Sequence, residues 1–298
     1  MIVTSLAAAV LYGAGAAVEQ RQATAAPESS AGRPRLLLLL ARQPLWLAGI
    51  AEQIGGFAAH AVALRSGPLA TVQMLVALEL VVAVVIVRVW SGRPLSRVSW
   101  SAALTVVAAI VAFLALTSRS TEGHAAGAPH RAVAAAALGA GLAGAFAVAA
   151  AAVGLRAAGR RRAVLLALAA GLADSCSAVV TLAFTHVASH GPAMIATSWT
   201  TYALVVCGTG NVLLTQSAYQ TGRPLITLPI ISAVTPVVSV AIGVGLLGET
   251  PRIGGIGALA ACFAVLVTSL ALAVLARSAP PPEPVPEAAV RVPVLSKC

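Results

Sequence analysis

The chain has 298 residues, 59% hydrophobic and only 9% charged, with a mean hydropathy of +0.94. A soluble domain carries about 25% charged residues, so this composition cannot cover a water-facing surface. The net charge of +10 would suggest nucleic acid in a soluble protein, but here the arginines lie between apolar runs, as in cytoplasmic loops, and nucleic acid is excluded.

Those runs are about 20 residues long, enough to cross a hydrocarbon core about 30 Å thick. In chain order they predict nine spans, at 2–18, 45–65, 68–90, 98–117, 133–155, 163–187, 197–217, 225–248 and 254–276. The first is at the short limit for a crossing. No basic stretch precedes it, so a cleaved signal peptide is not expected. Residues 19–35 and 118–132 read as polar loops, and 36–43 (LLLLLARQ) as an extension of the second helix or an interfacial segment. The proline-rich tail after Ala279 is expected to be disordered. Trp46, Trp90, Trp100 and Trp199 all fall near predicted helix ends, where interfacial aromatic anchors sit. The fifth span, rich in Ala and Gly with small residues such as Ala140 and Gly144 at i and i+4, reads as a packing helix.

Lysine occurs once, as Lys297, and aspartate once, as Asp174. No lysine remains for a phosphate-binding GxxxxGK[ST] loop or a core Schiff base, and no second aspartate for an aspartyl dyad; HExxH and GxSxG are missing. ATP-driven pumping and the common hydrolases fall away, and neither an enzyme nor a cofactor is expected. Cys176, Cys207, Cys262 and Cys298 show no CxxC spacing and read as small buried hydrophobes or terminal thiols. Fifteen of the nineteen basic residues fall on one side of the nine-span arrangement. The positive-inside rule then places the N-terminus outside and the C-terminus in the cytoplasm of a bacterial-type plasma membrane.

The chain also resembles itself. Residues 68–92 align without gaps on 224–248 at an offset of 156, with nine identities in 25, among them Pro68/Pro224, Thr71/Thr227, Ala77/Ala233 and Gly92/Gly248. The offset covers five spans, an odd number, so the two copies would cross in opposite senses. Inverted repeats of this kind occur in secondary transporters, whose substrate sites lie near the midplane where the halves meet. The expectation is therefore an all-α polytopic membrane helix bundle of about nine transmembrane helices in two inverted repeats, five plus four. Its parts are a first repeat over 1–132, a fifth span with a basic cytoplasmic loop over 133–162, a second repeat over 163–276 and the tail over 277–298.

The GPLATVQ segment after GFAAHAVAL, and the run PLITLPIISAVTPVVSVAIGVGLLGE, resemble the drug/metabolite transporter superfamily. Within it, nine spans and the segment WLAGIAEQIGGF are similar to the EamA-like branch that includes NIPA-type magnesium transporters. The resemblance implies a substrate-translocating bundle of two inverted halves working without ATP. The chain departs from ten-helix members in span number, and has Glu19-Gln20-Arg21 where NIPA-type members tend to show a Gln-Lys pair.

An ionisable side chain at mid-bilayer costs about 2.5–3.5 kcal/mol on insertion scales, so each one asks for a reason. Glu79 is central to the third span, Asp174 to the sixth, and Glu52 lies seven residues into the second. Each reads either as part of a substrate or ion pathway or as a structural carboxylate held by a neighbouring helix. Gly171, Ser177, Ala178 and Thr181 share the Asp174 face, a small and polar surface suited to a hydrated cavity. Gly49, Gly56 and His60 share the Glu52 face; at about 12 Å from Glu52 along the axis, His60 reads as a proton-relay station or as a structural histidine. The repeat pairs Glu79 with Thr235. Pro229 and Pro236 would each remove a helical hydrogen bond and free a helix-break carbonyl in the eighth span, lining a cavity or re-satisfied by Thr235 and Ser239. Asn211 and Thr215 form an i, i+4 polar pair in the seventh span.

Three functions follow: a secondary transporter of a small solute, coupled to protons or another ion through Asp174, Glu79 or Glu52; a divalent-cation transporter in which the same carboxylates are oxygen ligands, since Mg²⁺ prefers oxygen and keeps several waters; and a non-transporting membrane scaffold. The expected partners are the lipid bilayer and a small-molecule or cation substrate, with a homodimer left open. The sequence designates no metal ligand set.

Overall fold

A computed structural model describes residues 1–24, 41–92, 95–117, 129–221, 224–249 and 255–278. Within them the chain is entirely helical: α1 (Ile2–Thr24), α2 (Pro44–Arg65), α3 (Leu69–Val76), α4 (Glu79–Ser91), α5 (Arg97–Thr117), α6 (Pro129–Arg156), α7 (Gly159–Ala188), the single turn-and-a-half α8 (Pro192–Thr197), α9 (Trp199–Tyr219), α10 (Pro224–Gly245) and α11 (Gly255–Ser278). Residues 36–40 of segment 36–43, most of the loop at 118–132 and the proline-rich tail lie outside the described residues. Helix α2 starts at Pro44, so 41–43 do not extend it.

Among the described residues, eight segments are long and apolar enough to cross a membrane: α1, α2, α3 and α4 taken together as Leu69–Trp90, α5, α6, α7, α10 and α11. The expected seventh span is present as α9 but is not among the eight. Thr200, Thr201, Thr209, Asn211, Thr215, Gln216 and Ser217 dilute its apolar character. The first span is longer than expected: α1 continues to Thr24 and carries Glu19 inside it. Arg160, Arg161 and Arg162, expected in a loop, form the first turn of α7.

The expected third span is interrupted. Helix α3 stops at Val76 and α4 starts at Glu79, with Ala77 and Leu78 between them. The Leu78 N–H turns to the Leu75 carbonyl at 3.2 Å, an i→i−3 bond in place of the α-helical one. The break has no proline or glycine in it. Conversely α10 runs continuously through Pro229 and Pro236, each of which leaves the carbonyl four residues earlier without its helical donor. Hydroxyls gather around Pro236 instead: Thr235 Oγ1 lies 3.2 Å from the Ile231 carbonyl and Ser269 Oγ 3.4 Å from that of Ala233. These carbonyls flank that of Ser232, the one that Pro236 leaves without a helical donor.

Lipid tails are as apolar as leucine, so helices in a bilayer associate through close packing and polar contacts rather than burial from water. The side chains follow that rule. Leu104, Val148, Phe146, Leu259, Phe263 and Leu266 are exposed on apolar helices whose outer surface suits acyl chains. Inside, α7 is the most buried span, lined by Ala167, Ala169, Ala170, Gly171 and Ala178, and it packs on α6, α9 and α10. Ala136, Ala140, Ala143 and Ala147 of α6 are buried, in agreement with its reading as a packing helix. A second pairing joins α5 to α11 through Val106, Ile110, Phe113, Ala264 and Leu272.

Helix α3 is capped from far along the chain. Glu249, beyond α10, accepts from the Leu69 N–H at 2.7 Å and the Ala70 N–H at 2.9 Å, one on each carboxylate oxygen. Those N–H groups have no intrahelical acceptor, and a carboxylate there also meets the positive end of the helix dipole. Of the four tryptophans, Trp90, Trp100 and Trp199 are about half exposed while Trp46 is buried. Trp46 is therefore not the interfacial anchor expected from its place near a helix end.

Candidate functional site

Helices α1, α4, α7, α9 and α10 converge on Asp174. Asn211 Nδ2 of α9 donates to Asp174 Oδ1 at 3.0 Å, and Thr215 Oγ1 donates to Asn211 Oδ1 at 3.4 Å. Thr235 of α10 also hydrogen-bonds Asp174. Its hydroxyl lies 3.2 Å from the Ile231 carbonyl and 3.4 Å from that of Gly171, so its single proton is shared among three acceptors. Ser175 Oγ donates to the Gly171 carbonyl at 3.0 Å and approaches that of Thr235 at 3.2 Å. Three residues expected in a pathway, Asp174, Asn211 and Thr235, thus form one hydrogen-bonded group contributed by three helices.

Glu79 joins them electrostatically. The break at Ala77–Leu78 puts it in the first turn of α4, where its carboxylate interacts with that of Asp174. Tyr12 of α1 and Tyr219 of α9 feel both carboxylates. Gly13 of α1 makes this approach feasible, because a Cβ there would collide with the Glu79 carbonyl oxygen. Tyr12, Glu79, Asp174, Asn211, Thr215 and Thr235 are all half-buried.

Glu52 and His60 belong elsewhere. His60 is buried and pairs with Tyr12, whose hydroxyl lies 3.4 Å from Nδ1, with the rings edge-to-face and 6.0 Å between centroids. Tyr12, the partner of His60, also interacts electrostatically with Asp174 and Glu79. The Glu52 face is a packing seam. A Cβ at Gly49 would lie 3.2 Å from the Gly15 carbonyl oxygen, and one at Gly56 2.6 Å from the Tyr12 ring. Glu52 itself interacts with a second carboxylate, Glu19, near the end of α1. Glu19 is buried and accepts from Gln216 of α9 and Gln53 of α2.

The small face around Asp174 is likewise more packed than expected. Gly171 abuts Val234, where a Cβ would come within 2.9 Å, and Ala178 and Thr181 are buried. Pro229 and Pro236 are buried in α10. Gln73 is separate from Glu79, donating instead to Ser239 Oγ at 3.3 Å. Cys176 and Cys207, read as ordinary small hydrophobes, face each other across the α7–α9 contact with their sulfurs 3.5 Å apart.

Tyr12, Glu19, Gln53, Gln216 and Tyr219 were not anticipated. Gln53 and Gln216 carried a usable signal, since a side-chain amide inside an apolar run needs a partner. Glu19 was hidden by the underestimated length of α1. Among the described residues, no three His, Cys, Asp or Glu side chains are grouped so as to hold a metal ion.

The fold defines a polytopic, all-helical membrane protein, with an architecture of the kind that transport or channel proteins use. No protein-family model, curated protein or solved structure matches the chain.

Proposed function

We propose that the protein is a secondary transporter of a small solute, coupled to an ion or proton gradient. The observation that carries this reading is the Asp174–Asn211–Thr235 group with Glu79 beside it, polar and half-buried within an apolar bundle. Intramembrane carboxylates are costly and usually mark a substrate or ion path. Two acidic side chains with two phenols and an amide favour a cationic or protonatable solute, which they would bind by charge and hydrogen bonds.

The inverted-repeat reading, two halves of five plus four spans, supports an alternating-access mechanism. Shifted by the offset of 156, α2 falls on 200–221 against α9 at Trp199–Tyr219, and α3 with α4 on 225–247 against α10 at Pro224–Gly245. Helix α1 falls on 158–180, within α7 apart from its first residue, and α5 on 253–273, largely within α11. Asp174 and Asn211 would then stand on one half and Glu79 and Tyr12 on the other, so the site would lie at their seam, as the drug/metabolite transporter resemblance implies. The fifteen basic residues on one side favour an outside N-terminus and a cytoplasmic C-terminus.

Magnesium transport is the second reading. It needs an ion that keeps most of its waters, because the carboxylates do not form a compact ligand set. A non-transporting scaffold is the reading of a different class. The test is uptake into proteoliposomes of a panel of amines, amino acids and ²⁸Mg²⁺ under imposed pH and ion gradients. One solute accumulated by wild type and lost in Asp174→Asn is the expected result; no flux of any member would favour the scaffold.

A further inference from the structure

Beside the α1–α2–α9 junction stands a second polar group that the Asp174 site does not use. Glu19 is 4% exposed and Gln216 0%. Glu19 Oε2 and the Gln216 amide are hydrogen-bonded, and Gln53 donates to the same carboxylate. Three buried oxygens are left without a donor: Glu19 Oε1, Glu52 Oε2 and Gln216 Oε1. Gln216 and Gln53, both amides, are the hydrogen-bond donors that Glu19 has among the described side chains. The backbone geometry concentrates these groups. Gly15 and Gly49 let α1 and α2 approach so closely that a Cβ at Gly49 would be 3.1 Å from Glu19 Cγ, and Glu52 and Gln53 lie one turn further along α2.

A buried acceptor without a donor costs about 1–3 kcal/mol, and more when it is charged. Two neighbouring carboxyls that share buried, donor-less oxygens are relieved either by a proton or by a bound cation. We propose that Glu19, Glu52 and Gln216 form a sodium-ion site, distinct from the Asp174 cluster.

The chemistry of the donors selects the ion. All three are oxygens, which suit hard cations over soft ones. The near-complete burial of Glu19 and Gln216 leaves little room for ligand water, whereas Mg²⁺ dehydrates reluctantly and usually keeps several waters. Charge is already partly offset at Glu19 by two amide N–H groups, so a monovalent cation suffices. Glu52 is the half-buried member and provides the way in. In its role as coupling ion, though not in its binding, the sodium rests on the transporter reading above.

The experiment uses the purified full-length protein in detergent at fixed pH and ionic strength, with NaCl exchanged for N-methyl-D-glucamine chloride. Wild type is expected to bind one ²²Na⁺ per chain, displaced by excess unlabelled sodium and not by choline, and to show a Tm that rises with sodium concentration. Glu52→Gln and Glu19→Gln should each weaken ²²Na⁺ binding at least tenfold, while Asp174→Asn retains it. Should Glu19→Gln not fold, Glu52→Gln carries the comparison. The proposal is overturned by wild type that binds no ²²Na⁺, or by binding that survives Glu52→Gln. It is equally overturned if Glu19→Gln raises Tm while sodium has no effect on wild type, because the site would then hold a proton. Binding is read without transport: a protein that binds sodium and moves no solute fails only as a transporter, and one that moves solute equally well without sodium, and binds none, loses only this site.

Discussion

Asp174 is held by the side-chain amide of Asn211 and the hydroxyl of Thr235, and the proposed pathway role rests on its carboxylate charge. Asp174→Asn keeps the shape and removes the charge. Its expected effect in reconstituted vesicles is at least a tenfold loss of solute uptake with an almost unchanged Tm. Uptake at wild-type rate would return Asp174 to a structural role. Asn211→Leu should act through Asp174: it removes the 3.0 Å donor, leaving a carboxylate short of a hydrogen bond worth about 1.5–3 kcal/mol. Substrate affinity is expected to change more than the amount of folded protein, as measured by ligand-protected thermal unfolding. At the same scale Gly15 is held to its size. A Cβ there would stand 2.8 Å from the Gly49 carbonyl oxygen, which is backbone and cannot rotate away. Gly15→Ala should cost about 1–3 kcal/mol by overpacking, read as a lowered unfolding midpoint, and an unchanged midpoint would mean that α1 and α2 are less tightly apposed.

Among the elements, two contacts join segments far apart in sequence. Glu249 caps α3 across 180 residues, so Glu249→Ala should destabilise the fold by about 0.5–2 kcal/mol, the usual range for a lost N-cap. Glu249→Asp, shorter by one methylene, should recover only part of it; equal stability of the alanine variant and wild type would show that the cap is dispensable. Cys176 and Cys207 sit 3.5 Å apart, against about 2.05 Å in a disulfide. Hydrogen peroxide, taking one hydrogen from each thiol and leaving as two waters, is expected to cross-link α7 to α9. Mass spectrometry of the digested protein reads the linked peptide, which Cys207→Ser must abolish. Its absence from wild type would mean that the two helices do not come this close.

The distribution of polarity over the whole molecule is what makes it a membrane protein. Many large apolar side chains face outward, alanines line the buried faces of α6 and α7 beside a core of Leu, Ile, Met and Phe, and polar side chains gather where helices meet. The eight apolar spans and the polar α9 together give an odd number of crossings if α9 also traverses. Reporter fusions at Met1 and Cys298 should then report opposite faces, with the cytoplasmic one at the C-terminus. Both termini on one face would make α9 a non-crossing helix and dissolve the five-plus-four repeat.

Composition and run length were enough to establish an all-helical membrane chain, because a bilayer core leaves a backbone no other self-contained way across without a closed barrel. Asp174, Asn211, Thr215, Thr235 and Glu79 were legible as well, since a polar residue within an apolar run stands out one position at a time. Which of them meet was not legible, because partners sit on different helices tens of residues apart, and helical periodicity assigns a face without saying what covers it. Thus Glu52, assigned to a route with His60, stands beside Glu19, while His60 turns to Tyr12. The break before Glu79 has no proline or glycine to announce it, and the two prolines that seemed to announce one are carried inside a continuous helix. Only the packing of neighbouring helices decides where a transmembrane backbone bends, because those neighbours supply or withhold the hydrogen bonds that the bend requires.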